Sequence, residues 1–271
     1  METTKNILLT GSGNRTMATD ILFQARDRPQ PVVIYAHGFN GFKDWGNFDL
    51  VAARFAEAGY VFVKFNFSHN GTTAAHPTEF VDLEAFGNNN YSRQLEDLHR
   101  VLDWVCDNEN PYRAVIDSNR VSLVGHSMGG GIAILQAARD NRVKALVSWA
   151  AISECKTPWG NWSQERLDEW KKRGVEYYVN TRTNQRMPLY YQLYEDFQAN
   201  QAGLDIAAAI KSLKVPVLIC HGSADSSVSP GSAYQLKKWQ PAAELLMVDS
   251  DHVFGRKHPW LEPGAQNAAS P

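Results

Sequence analysis

Cysteine is scarce in this chain of 271 residues, and the three present, Cys106, Cys155 and Cys220, form no C-x-x-C pair. That excludes a disulfide framework and a zinc knuckle, and the thiols are expected to be reduced. No apolar run approaches the roughly 18 residues that a membrane span requires. The opening "METTKNILLTGSGNRT" holds too short an apolar run for a signal peptide, so a cytoplasmic, membrane-free protein is expected. Basic charge is not in surplus: 27 Lys and Arg stand against 29 Asp and Glu, and no long Lys/Arg run occurs. The electrostatic footprint of a nucleic-acid or anionic-membrane binder is therefore missing. H-E-x-x-H is absent, and neither "GSGN" nor "GGG" completes a G-x-G-x-x-G turn, so no metal and no cofactor is implied. Small, roughly neutral molecules are the partners left.

With 44% hydrophobic and 21% charged residues, the chain is long enough to bury a substantial core in one α/β domain spanning 1–271. Alternating apolar residues at Lys5–Thr10 and Thr16–Gln24, separated by "GSGN", read as an edge hairpin. Thereafter "PVVIYAHG", "YVFVKFNF", "RVSLVGHS", "KALVSWAA", "VPVLICHG" and "AELLMVDS" are short continuous apolar runs, the pattern of strands buried on both faces. Helical periodicities lie between them at Phe48–Ala58, Ser92–Asn108, Gly129–Ala138 and Pro230–Trp239. The alternation predicts a mostly parallel central sheet with helices on both faces. One aromatic-rich segment, at about 152–206, interrupts it. An insertion after a strand's carboxyl end lands over the crevice where such sheets bind ligands, so a helical cap is expected there. Trp159, Trp162 and Tyr190 are its candidate substrate contacts, against the plainer reading that they pack on the body. The tail "EPGAQNAASP" has a disordered composition.

In "VSLVGHSMGGGIAIL", Ser127 stands where an apolar strand pattern turns into a glycine cluster and a helix. A serine there can be a mere N-cap. "GHSMG" also matches the G-x-S-x-G nucleophile elbow, whose tight turn leaves no room for side chains two positions either side of the serine. A hydroxyl is a weak nucleophile until a base takes its proton. Of eight histidines, His252, in "VDSDHVFG" just past the last strand pattern, is the candidate base. His126 falls to packing or support, and His37 and His221 to loop structure. The ring needs a carboxylate to fix its tautomer. Asp225, in the loop after the penultimate strand, should neighbour His252, with Asp249 and Asp251 as rivals in the histidine's own loop. The N–H groups of Met128 and of Phe39, in "AHGFNGFKDW", are the candidate oxyanion donors.

Carried by "HGFNGFKDW", "GHSMGGG", "CHGSADSSVSP" and "DHVFG", the sequence resembles the α/β-hydrolase superfamily, and within it the serine esterase and dienelactone-hydrolase-like branches that include cinnamoyl (feruloyl) esterases. The resemblance spans His37 to Gly255. It implies the α/β-hydrolase fold and cleavage of a carboxylic ester, of small or aromatic acyl type, through an acyl-enzyme on Ser127. A thioesterase or small aminopeptidase of the same fold, and a binding protein that keeps the fold without turnover, are the competing readings. A dehalogenase is disfavoured, since its nucleophile would be an aspartate. Two departures stand out. Where the family places an aspartate, an arginine and glycines after the fourth strand, this chain has "NFSHNGTT", and only "RKHPWLEPGAQNAASP" follows the histidine loop, where relatives carry a long helix. Without that helix, an apolar sheet face needs another cover, such as the second copy of a homodimer or the cap.

Overall fold

The computed structural model describes residues 1–260, so the expectation of a disordered tail at 262–271 lies outside the described residues. Eight strands form one sheet: β1 (Glu2–Thr10), β2 (Thr16–Phe23), β3 (Gln30–Ala36), β4 (Val61–Phe65), β5 (Ile116–His126), β6 (Val143–Trp149), β9 (Val217–Gly222) and β10 (Glu244–Val248). Their spatial order is β1-β2-β4-β3-β5-β6-β9-β10. The β1–β2 and β2–β4 pairs are antiparallel, and every later pair is parallel. The fold is thus α/β with a mostly parallel sheet. Strands β3 and β4, central in the order, are buried almost throughout, as parallel strands sandwiched by helices must be.

Helix α1 (Phe48–Glu57) covers one face, where Phe48 and Ala52 meet Val33, Tyr35, Phe62 and Val124. On the other face lie α3 (Tyr91–Cys106), α4 (Met128–Arg139), α7 (Ile206–Ser212) and α8 (Gly231–Trp239), over the larger core that holds Val32, Ile34, Leu123 and Ile219. A short α2 (Leu83–Gly87) precedes α3, started by the Asp82 carboxylate accepting from Ala85 N–H at 2.9 Å. At five residues it is too short to leave a periodic signal. Among the described residues no helix is long and apolar enough to cross a membrane.

Between β6 and β9 the chain builds α5 (Gln164–Arg173), a two-stranded antiparallel hairpin β7 (Val175–Asn180) and β8 (Gln185–Tyr190), and α6 (Gln192–Ala199). Ser163 caps α5, and Gly174 ends it in the left-handed region at φ 71°. The hairpin is an addition to the helices expected here. "VEYYV" is β-branched and aromatic, which favours a strand, and Asn184 turns the chain at φ 56°. Fully buried Trp170 centres this segment, its indole N–H donating to Leu189 O at 2.7 Å.

Candidate active site

The parallel pairing of β9 with β10, Val248 opposite Gly222, brings the loops after these strands together. Ser223 N–H donates to Val248 O at 2.8 Å and Ala224 N–H to Ser250 O at 3.0 Å. A Cβ on Gly222 would stand 2.4 Å from Ser250 O and Asp251 O, so the contact exists because residue 222 is glycine. From these joined loops Asp225 meets His252, with Nδ1 of the ring 2.7 Å from Oδ2. The same carboxylate accepts Ser227 N–H at 2.8 Å and Val228 N–H at 2.9 Å on Oδ1. Its side chain is fully buried. Asp251 instead accepts the N–H groups of Val253 and Gly255 in its own loop, and Asp249 is exposed.

Ser127 joins β5 to α4 at φ 57° and ψ −121°, a conformation costly for a residue with a side chain. The glycines around it permit the turn. A Cβ on Gly125 would lie 2.3 Å from Gly129 O, and one on Gly129 would lie 2.3 Å from His37 O. The Ser127 hydroxyl caps no N–H of α4, so capping does not account for it. Ser127 and His252 line one cavity of about 190 Å³, although no hydrogen bond joins them. Catalytic hydrogen bonds commonly tighten only once substrate is present.

The loop after β3 passes against the serine: a Cβ on Gly38 would stand 3.0 Å from Ser127 Cβ. Among the described residues neither Phe39 N–H nor Met128 N–H has a protein acceptor. With Met128 opening α4, the positive end of that helix adds to the field favouring an anion. The loop is braced from behind. His37 contacts Gly38 O through Nδ1 at 2.9 Å and accepts Phe67 N–H on Nε2 at 3.2 Å, which fixes the proton on Nδ1. Burial drives its pKa down to about 4, against the opposing pull of Gly38 O. The "NFSHNGTT" segment supplies further braces: Asn66 Oδ1 accepts Lys43 N–H at 2.7 Å, and Asn70 Nδ2 donates to Gly41 O at 3.2 Å. His126 Nε2 holds His252 O at 2.9 Å, and burial, then the His252 ring, keep its pKa well below the usual value.

Below the loop, fully buried Lys43 and Lys64 meet Asp20, Asp44 and Asp49. The three carboxylates lie close enough to hold a metal ion. Two ammonium groups already fill that role, with Lys43 Nζ 2.7 Å from Asp20 and Lys64 Nζ 2.5 Å from Asp49, so the donor set fits an ionic lock and not a cation site. Burial opposes the Lys64 charge, but Asp44 and Asp20 outweigh it and hold its pKa above the ordinary value.

The remaining sequence candidates sit elsewhere. Trp159, Trp162 and Tyr190 do not line the cavity. Trp159 packs tilted and Trp162 edge-on against Trp170, and the Tyr190 hydroxyl donates to Glu84 at 2.5 Å. These rings bury surface in the core that the segment shares with the body: Trp159 also meets Tyr91 of α3, and the Tyr190 ring lies against Gly87. The aromatic walls of the cavity are Tyr35, Phe39, Phe42, Trp45 and Phe48, from the end of β3, the loop after it and the start of α1. Sequence reasoning passed over four of these, and the aromatics in "GFNGFKDWGNF" were the available signal. The hairpin reaches the site through Tyr178, whose ring centroid is 5.6 Å from that of Phe39, and through Asn180, which donates to Asn40 Oδ1 at 3.3 Å.

A family model described as the alpha/beta hydrolase family matches residues 33–269. Among curated proteins, the chain is 30% identical over 124 residues to the quorum-quenching protein AidA of Acinetobacter baumannii, covering 46% of this chain and 36% of AidA. It is 22% identical over 230 residues to the polyketide transferase ATR5 of Stachybotrys chlorohalonatus, covering 83% of this chain and 69% of ATR5. The chain spans little more than a third of the length of the first curated relatives it matches. Among solved structures, Est1E of Butyrivibrio proteoclasticus with ferulic acid bound superposes with a TM-score of 0.72 at 17% identity, over 92% of each chain. At that identity the likeness concerns the fold.

Proposed function

This chain belongs to the alpha/beta hydrolase family, and from that premise we propose that it is a serine hydrolase cleaving carboxylic esters of small or aromatic acyl groups through an acyl-enzyme. One observation carries the reading: the 2.7 Å Asp225–His252 contact opens onto a cavity shared with an uncapped Ser127 hydroxyl. With Nδ1–H bound to Asp225, His252 Nε2 is the nitrogen that can take the Ser127 proton. The Ser127 oxygen adds to the ester carbonyl carbon, and the carbonyl oxygen becomes an oxyanion held by Phe39 and Met128 N–H. His252 returns the proton to the departing alkoxide, leaving the acyl group on Ser127. Water then repeats the sequence: His252 takes its proton, hydroxide adds to the acyl carbon, and Ser127 leaves with the proton as the acid is released.

The cavity supports a small, uncharged group. At about 190 Å³ it falls below the roughly 300–1,000 Å³ of sites that enclose drug-sized ligands. Its walls are aromatic and, among the described residues, include no carboxylate that could hold the free amine of an aminopeptidase substrate. The segment 152–206 acts as the cap, tied to the oxyanion loop through Tyr178 and Asn180. Ferulic acid on Est1E is consistent with an aromatic acyl group whose ring extends beyond this cavity towards the cap. The test compares nitrophenyl acetate, nitrophenyl butyrate, a feruloyl ester and an acyl thioester on wild type and Ser127→Ala. Oxygen esters should turn over fastest, and the variant should lose at least about a thousandfold in kcat together with labelling by an organophosphonate. Retained turnover or labelling in the folded variant would remove Ser127 from the reaction.

A further inference from the structure

Asp225 touches a second imidazole. His221, fully buried at the end of β9, holds Nε2 3.1 Å from Asp225 Oδ2 and 2.9 Å from Val228 O. Both neighbours are acceptors, so the proton of a neutral ring sits on Nε2. Nδ1 is then a buried acceptor with no partner among the described residues. An aliphatic side chain would fill the same volume without stranding a nitrogen, so packing alone does not explain an imidazole here.

We propose that His221 is a positioning residue that locks the Asp225 carboxylate in the orientation that serves His252. The inference rests on the triad reading given above. Oδ1 takes the N–H groups of Ser227 and Val228 and Oδ2 takes His252 Nδ1–H, while His221 Nε2, whose hydrogen bond goes to Val228 O, lies 3.1 Å from Oδ2. Three donors hold the carboxylate, and the electropositive Nε2–H edge of the His221 ring packs against Oδ2. The group cannot rotate without breaking these bonds, and the fully buried His221 ring occupies space beside Oδ2 that water would otherwise take. By donating to Val228 O, the His221 N–H braces the turn whose N–H groups hold Oδ1.

The test uses the full chain with three substitutions. His221→Gln can offer an amide N–H where Nε2 now lies, His221→Leu offers none, and His221→Asn places its amide at the Nδ1 end. With nitrophenyl butyrate, His221→Leu should lose roughly ten- to a hundredfold in kcat with KM unchanged, the scale of a small misplacement of a catalytic group, and His221→Gln should recover most of it. Proton NMR reads the same lock without turnover. The downfield resonance of His252 Nδ1–H should persist in wild type and His221→Gln, and shift or broaden in His221→Leu. Should the leucine variant not fold, His221→Asn takes its place with the same expectation. A folded leucine or asparagine variant with wild-type kcat and an unchanged resonance would overturn the proposal, as would a glutamine variant no better than leucine. Absence of turnover in the wild type would instead defeat the ester-hydrolase reading, and the resonance would still decide the role of His221.

Discussion

Acidification should loosen this protein through His37, and by an amount the structure sets. In the folded chain both ring nitrogens are committed, Nδ1–H to Gly38 O and the Nε2 lone pair to Phe67 N–H. Burial of a charge in this fully enclosed site lowers the pKa from 6.5 to about 4, and a proton arriving at Nε2 also displaces the Phe67 N–H. The unfolded chain takes that proton near 6.5. Between the two values the unfolded state carries more protons, so stability is complete above about pH 6.5 and is lost as the pH drops towards 4. A gap of about 2.5 units at 1.36 kcal/mol each gives about 3 kcal/mol by pH 4. Urea unfolding of wild type and His37→Gln at steps from about pH 7.5 to about pH 4 isolates the effect, because glutamine does not titrate. His69, also pushed down to about 4 by burial first and Arg93 second, titrates in both proteins and cancels in the difference. The variant should start less stable and lose less, the two curves converging by about 3 kcal/mol. Parallel curves would refute the argument, since they would mean that His37 takes up its proton alike in both states.

Two further substitutions probe the frame of the site. Lys43→Met removes the ammonium from between Asp20 and Asp44 and leaves Asp20, fully buried, with Lys64 at 3.3 Å. Breaking a buried pair on one side costs about 3–5 kcal/mol, to be read as a lower urea midpoint at pH 7, and an unchanged midpoint would mean that the network is solvated. Gly129→Ala puts a methyl group 2.3 Å from His37 O and 2.5 Å from Ala36 O, backbone atoms that cannot swing aside. It should cost at least the roughly 1–3 kcal/mol of ordinary overpacking and abolish phosphonate labelling, whereas a labelled, wild-type-stable variant would show that the turn tolerates a side chain.

What could be read from the sequence was local or topological. Ser127 was legible because strand, glycines and helix are contiguous, and the clashes at Gly125 and Gly129 are the physical content of that motif. Asp225 and His252 were legible because each directly follows a strand, and consecutive strands tend to lie side by side. The ionic lock was not. Lys43 and Lys64 are stable inside only because carboxylates from β2, α1 and the loop after β3 converge on them, and no single segment records that convergence. A lysine inside the otherwise apolar "YVFVKFNF" was its one trace. The "NFSHNGTT" loop was opaque for a related reason: Asn66 and Asn70 act on Lys43 and Gly41, at sequence distances of 23 and 29 residues. The aromatics of the insertion were ambiguous because ring content reports burial and does not tell a substrate wall from a packed core.

Four histidines meet at the carboxyl rim of the sheet, and the placement of protons separates one from the rest. His37 has both nitrogens engaged, and burial keeps it neutral to about pH 4. His126 gives Nε2–H to His252 O and is held neutral by burial and the adjacent ring. His221 gives Nε2–H to Val228 O beside the Asp225 carboxylate, and its other nitrogen is sealed inside. His252 alone combines a carboxylate on Nδ1 with partial exposure, 19% of its side chain, at the cavity that holds Ser127. Sequence order could point to His252 only by its position after the last strand. The other three rings are engaged in fixing backbone and turn, which is the physical basis for the proposal that His252 takes the proton of Ser127.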